Sequence, residues 1–255
     1  MTLLWCGQLL FTPTENVSWA GLTMGLLRWR LADGREVGRQ TGMYTFALSV
    51  SRDSRWVVCG TRDGASVWDG EIREKVIHTV EDTNDMYAVD VSLDSTRFAT
   101  GARDGATIWS ITSGQRLVGP LEHDNSVNGI RFSPTGEHCA TTCARNAIQI
   151  FDSHTGDNLI TLNGRSPDWQ GTPLAWSGDG QQIFTASGDN KVRSFNVSTG
   201  SKFTELRILH DDGDSNVLSI ALSANGKSIA TFAGHSILVL DTSTLKQIGP
   251  VIKES

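Results

Sequence analysis

This chain repeats itself, and that constrains its fold more than any other feature. Residues Val50 to Asp69 (VSRDSRWVVCGTRDGASVWD) align without a gap on Val91 to Ser110 (VSLDSTRFATGARDGATIWS), an offset of 41. Ser51/Ser92, Asp53/Asp94, Gly60/Gly101, Arg62/Arg103, Asp63/Asp104, Gly64/Gly105 and Trp68/Trp109 are matched pairs. Further copies start at Phe132, Trp176 and Leu222, at offsets of 41, 44 and 46. A degraded copy precedes them: Leu26 to Gly34 matches the strand and turn around Thr107 to Gly114, Gly7 to Thr12 is similar to Gly180 to Thr185, and Pro13 to Gly21 reads as irregular. A fixed period of this length is the signature of a repeat architecture. The approximate units are 1–39 (degenerate), 40–80, 81–121, 122–163, 164–206 and 207–255, together expected to form one domain over 1–255.

Each unit reads as four short strands. In the unit from Asp124, Val127 to Phe132 is a strand and Ser133-Pro134-Thr135-Gly136 a turn. His138 to Cys143 is a second strand, Ala147 to Asp152 a third and Asn158 to Leu162 a fourth, with Arg145-Asn146 and Thr155-Gly156-Asp157 between them. Pro, Gly, Asn and Asp stand where turns need them, and no window sustains a helical period. A single twisted four-stranded sheet cannot bury both faces, so such units must pack on one another. Trp29, Trp68, Trp109, Phe151, Phe195 and Leu240 share one position, where a large apolar side chain suits the wedge between sheets. The expected fold is all-β: a β-propeller of about six four-stranded blades, or an incomplete seven-bladed one.

The net charge of −6 and the absence of basic runs argue against nucleic acid and against an anionic membrane surface as partners. No apolar run reaches the length of a membrane span. The first basic residue is Arg28, and Gly7-Gln8 interrupts the early apolar stretch, unlike a secretory signal. Cys6, Cys59, Cys139 and Cys143 lack the paired spacing of a zinc site and read as buried, reduced thiols. That chemistry points to an intracellular setting, cytoplasmic or nuclear.

The turns and aromatic positions resemble the WD-repeat family. Ser133-Pro134-Thr135-Gly136, Arg103-Asp104-Gly105, Trp68-Asp69, and the Ser113-Gly114, Thr155-Gly156 and Thr199-Gly200 turns carry the resemblance, over residues 22 to 255. It implies a brace in each blade linking a His, a Ser or Thr, an Asp and a Trp. His123 and His210 fall in the His slot, Asp63, Asp104 and Asp189 in the Asp slot, and Trp68 and Trp109 in the Trp slot. No repeat fills all four, so the bracing is expected to be weaker than in an ideal member. The family usually closes with seven blades.

No nucleophile elbow, phosphate loop, zinc-protease helix or calcium loop is present. The Asp-Gly pairs at Asp63 and Asp104 are turn chemistry rather than paired catalytic acids. No catalytic residue, metal ligand, cofactor or specific small molecule is expected. The innermost strands carry only two charges, Asp90 and Arg131, which favours a non-catalytic scaffold for proteins or peptides over a propeller enzyme. The other alternative is a propeller fragment of a longer multidomain signalling protein. One arc stands out as a candidate partner-binding site: Arg62, Arg103 and Arg145, in the turn between second and third strands of three successive repeats. Either each Arg pairs with the acidic loop beside it (Glu81, Asp82, Asp85; Glu122, Asp124), or the arc receives a carboxylate-rich or phosphorylated peptide through guanidinium forks.

Overall fold

The structure is a computed structural model describing residues 6–11, 17–22, 25–41, 44–70, 74–78, 85–143, 148–162, 173–187, 191–207, 217–223, 225–233 and 236–253. Among the described residues the regular structure is entirely β. The chain divides into two compact units, Met1–Phe132 and Ser133–Ser255.

The first unit holds three four-stranded antiparallel meanders, each in chain order. They are β1 (Cys6–Phe11), β2 (Val17–Leu22), β3 (Gly25–Arg30), β4 (Glu36–Thr41); β5 (Thr45–Val50), β6 (Trp56–Thr61), β7 (Gly64–Asp69), β8 (Glu74–His78); and β9 (Ala88–Val91), β10 (Arg97–Ala102), β11 (Gly105–Ser110), β12 (Arg116–Leu121). The unit ends on β13 (Val127–Phe132). The second unit holds β14 (His138–Cys143), β15 (Ile148–Asp152), β16 (Asn158–Leu162), then two four-stranded meanders. These are β17 (Leu174–Trp176), β18 (Gln182–Ser187), β19 (Lys191–Asn196), β20 (Lys202–Arg207), and β21 (Val217–Leu222), β22 (Ser228–Ala233), β23 (Ser236–Asp241), β24 (Ile252–Lys253). Meanders of this kind, stacked face on face, are the blades of an all-β propeller.

The stacking is visible in the cores. Val58, Ala65 and Val67 of the second repeat meet Val89, Val91, Phe98 and Trp109 of the third. In the other unit Ile148 and Ile150 meet Trp176, Ile183 and Phe195, and Phe184, Ala186 and Val192 meet Ile220, Ile229 and Leu240. So neighbouring sheets within each unit pack face to face. Each large side chain buried this way contributes roughly 1.5–3 kcal/mol. Two glycines let the sheets approach. A Cβ on Gly60 would lie 2.7 Å from the Met86 carbonyl oxygen, and one on Gly101 2.7 Å from Val127 Cγ1. Met86 and Val127 lead into the first strand of the following repeat, so the matched glycines mark one recurring close approach.

The turn between first and second strands is written in the sequence as Ser-x-Asp or a close variant. Ser92 Oγ donates to Asp94 at 2.6 Å while it accepts from the Arg97 amide at 2.9 Å. Ser177 with Asp179 and Gln182, and Ser223 with Asn225 and Ser228, repeat the arrangement. Short polar side chains thereby satisfy the backbone as the chain reverses.

The first repeat departs from expectation. Pro13 to Gly21 reads as irregular in the sequence, yet Val17–Leu22 is a regular strand, paired from Val17↔Arg30 to Leu22↔Gly25. Cys6–Phe11 is the first strand of its sheet, where the likeness of Gly7–Thr12 to Gly180–Thr185 had suggested the second. A better register was available: Phe11-Thr12-Pro13-Thr14 matches Phe132-Ser133-Pro134-Thr135, which puts the first strand before that segment and the second after it.

Candidate partner-binding rim and the braces beneath it

The two charges on the innermost strands meet. Asp90 is buried on β9, and its Oδ1 accepts from Arg131 Nη1 at 2.8 Å and from Ser49 Oγ at 3.3 Å. Its Oδ2 accepts from the Phe132 amide at 2.9 Å. Ser49, Asp90 and Arg131 are spaced 41 residues apart, so one equivalent position on three successive inner strands forms a continuous polar link. A buried carboxylate with three donors is satisfied and held in place. These charges therefore have a structural use. The sequence carried the signal for it in their spacing.

The aromatic braces are uneven. Trp109 is buried, stacks on Phe98 with ring centroids 6.2 Å apart, and donates from Nε1 to Thr100 Oγ1 at 2.9 Å. Trp68 holds the same place one repeat earlier, but its buried Nε1 has no partner. The residue matched to Thr100 there is Cys59, whose sulfur is a weak acceptor. His123 donates from Nδ1 to the Leu121 carbonyl at 2.7 Å. Burial holds its imidazole below the usual histidine range, opposed in part by that carbonyl and by Asp124. Asp63 and Asp104 are exposed, and the Asp63 amide donates to Thr61 Oγ1 at 3.3 Å. His210 and Asp189 lie outside the described residues. Cys59, Cys139 and Cys143 are buried; the Cys6 side chain is outside the described set.

The rim of the second and third repeats gathers charge and aromatic surface. Arg62 is exposed, with its guanidinium 5.4 Å from the Tyr44 ring centroid and its Nε 3.7 Å from Asp85 Oδ1. The Tyr87 hydroxyl reaches Asp85 Oδ2 at 3.5 Å, and its ring lies 6.1 Å from Phe46. Burial raises the Tyr87 phenol above its ordinary value, the Asp85 carboxylate adds to the rise, and the Arg103 guanidinium opposes it. Arg103 is exposed beside this group. Arg62 thus pairs with the acidic loop beside it, through an exposed contact of small net worth. Arg145 lies outside the described residues. Tyr44 and Tyr87, the only tyrosines in the chain, were missed by sequence reasoning; their recurrence at the entry to neighbouring repeats was the available signal. Among the described residues no three His, Cys, Asp or Glu side chains gather as a metal site would require.

Stacked four-stranded meanders with Ser-x-Asp turns and a recurring third-strand aromatic define a WD-type β-propeller. Comparison with known proteins agrees. The family described as WD domain, G-beta repeat matches residues 115–152 and 174–196. WD repeat-containing protein 1 of Gallus gallus is 37% identical over 76 residues, 29% of this chain and 12% of that protein. Its Xenopus tropicalis counterpart is 32% identical over 83 residues, 32% of this chain and 14% of that protein. The matches thus span under a sixth of those relatives. The crystal structure of the β-propeller domain of Myceliophteria thermophila Cps50 (Swd1) superposes with a TM-score of 0.79 at 14% identity, covering 97% of this chain and 85% of that one. The chain folds as a β-propeller and carries WD repeats at residues 115–152 and 174–196; WD-repeat propellers generally serve as protein-interaction scaffolds and are typically non-enzymatic.

Proposed function

We propose that this chain is a non-catalytic, intracellular scaffold that takes an acidic or phosphorylated segment of a partner protein on the rim formed by Tyr44, Arg62, Tyr87 and Arg103. The observation that carries the reading is the Arg62–Tyr44–Asp85 group: an exposed guanidinium sits against an aromatic face with the Asp85 carboxylate 3.7 Å away. That contact is loose enough for an incoming carboxylate or phosphate to replace Asp85. Guanidinium groups bind such oxygens in bidentate fashion, and aromatic and Arg side chains supply most of the energy in protein interfaces. The satisfied Asp90–Arg131 link supports the non-catalytic part of the reading, because the inner-strand charges are already engaged.

The test is capture of cellular partners by the wild-type chain and by the triple variant Arg62→Ala/Arg103→Ala/Arg145→Ala, followed by titration of the captured segment with and without phosphate or acidic residues. The expected result is at least a tenfold loss of affinity in the variant, about 1.4 kcal/mol or more, and a similar loss on removing the segment's negative charge. Unchanged binding overturns the proposal.

A further inference from the structure

Tyr44, Asp85 and Ser126 occupy one slot, at the entry to the first strand of three successive repeats, with the same offset of 41 that relates Arg62 to Arg103. Arg62 shows what that slot brings to an arginine. Its guanidinium lies 5.4 Å from the ring centroid of Tyr44 in its own repeat, and its Nε 3.7 Å from Asp85 Oδ1 in the next. The equivalent neighbours of Arg103 are Asp85 and Ser126. Asp85 therefore stands in the slot that borders both arginines. Tyr87, whose hydroxyl is on Asp85, agrees: its phenol feels the charges of Asp85 and of Arg103.

The backbone holds Asp85 in that place. The Met86 amide donates to the Thr61 carbonyl at 3.0 Å, and the Tyr87 amide to the Gly101 carbonyl at 2.9 Å. Thr61 immediately precedes Arg62, and Gly101 stands two residues before Arg103, so the segment carrying Asp85 is tied to both turns. Met86 is fully buried and anchors it. The carboxylate itself is held loosely. Oδ1 is 3.7 Å from Arg62 Nε and Oδ2 is 3.5 Å from the Tyr87 hydroxyl, both longer than a good hydrogen bond. Asp85 thus fills the space between the rim's donors without satisfying them.

We propose that Asp85 is an internal occupant of the rim site, an autoinhibitory carboxylate that a partner must displace, and that the group able to displace it is a phosphoryl group. The inference rests on the rim reading given under the proposed function. A single carboxylate from a partner exchanges like for like. It offers the two oxygens that Asp85 already offers, and Asp85 is tethered beside the site. A phosphoryl group brings three acceptor oxygens and more charge. That is one oxygen for each of Arg62, Tyr87 and Arg103, and guanidinium bonds to phosphate belong to the strong, charge-assisted kind. The site disfavours acidic segments and admits phosphorylated ones.

The test titrates N-acetyl-phosphoserine amide and N-acetyl-glutamate amide into the full chain at about pH 7.5, where the phosphoryl group is almost fully doubly charged. Binding is followed by the NMR signals of the Thr61–Gly64 and Ala102–Gly105 turns. The wild-type chain should bind the phosphoserine probe about tenfold more tightly than the glutamate probe, the worth of one further charge-assisted hydrogen bond. Asp85→Asn keeps the shape of the side chain and removes its charge. It should tighten both probes by at least about threefold, as loss of a competing surface ion pair allows. The gain should shrink in the Arg62→Ala background, whereas a general relief of negative charge would persist there. No binding by the wild-type chain, or equal binding by Arg62→Ala/Arg103→Ala, overturns the rim reading and this inference with it. Three results overturn the inference alone: arginine-dependent binding that Asp85→Asn does not tighten, a gain of the same factor without Arg62, or a glutamate probe held as tightly as the phosphoserine one.

Discussion

The second and third repeats align without a gap, bury their apolar faces equally, and place Gly60 and Gly101 under the same close approach, yet only one has a hydrogen-bonded tryptophan. In the third, Phe98, Thr100 and Trp109 form a stacked and hydrogen-bonded group. In the second, Val57, Cys59 and Trp68 fill the same places within an apolar cluster, and Trp68 Nε1 is left without a hydrogen bond. The two sheets nevertheless have the same strand register, Val57↔Trp68 in one and Phe98↔Trp109 in the other. Face packing and turn chemistry therefore set the blade. The polar brace is an increment on a structure that forms without it, since a typical hydrogen bond adds only about 1 kcal/mol net.

Substitutions can break or sharpen this contrast. The largest effect is expected at Asp90, which both repeats share through its bond to Ser49. Asp90→Ala strips the Phe132 amide and Arg131 of their acceptor and should cost about 3 kcal/mol in chemical denaturation. Next is the tryptophan pair. Trp109→Phe should destabilise by roughly 1 kcal/mol more than Trp68→Phe, because only the first removes a hydrogen bond; equal losses would dissolve the distinction between the repeats. Cys59→Thr should raise stability by up to about 1 kcal/mol by giving Trp68 Nε1 an acceptor, and that gain should vanish in the Trp68→Phe background, as a double-mutant cycle reads directly.

The smallest effect is expected from pH. The folded-state pKa of His123 is lowered by burial, so its contribution is complete above the unfolded value of 6.5 and is lost as pH falls from there towards the folded value. Wild-type stability should fall between about pH 7.5 and pH 5.5 by more than that of His123→Gln, measured as urea midpoints.

Most of the fold was legible because repetition supplies its own controls: a strand doubtful in one copy is plain in another. The turns at Ser92, Ser177 and Ser223, the third-strand aromatic and the glycine approach all follow from residue type at a fixed offset. The first repeat was misread where the markers weaken: Thr12-Pro13-Thr14-Glu15 lacks the Gly of Ser133-Pro134-Thr135-Gly136. The rim was half legible. The Arg recurrence marked Arg62 and Arg103, but the contacts of Tyr44 and Tyr87 join residues from different turns, and aligning copies does not reveal which turns are neighbours. The Asp90 link was read as two isolated charges for the same reason, although its offset of 41 was in view.

Amide hydrogen exchange compares the two sheets most directly. If apolar stacking between successive sheets holds the structure, amides of Trp56–Thr61 and Gly64–Asp69 should be protected as strongly as those of Arg97–Ala102 and Gly105–Ser110, despite the unbonded Trp68. Exchange in the second repeat as fast as in exposed turns, with the third still protected, would show that the hydrogen-bonded brace makes the blade.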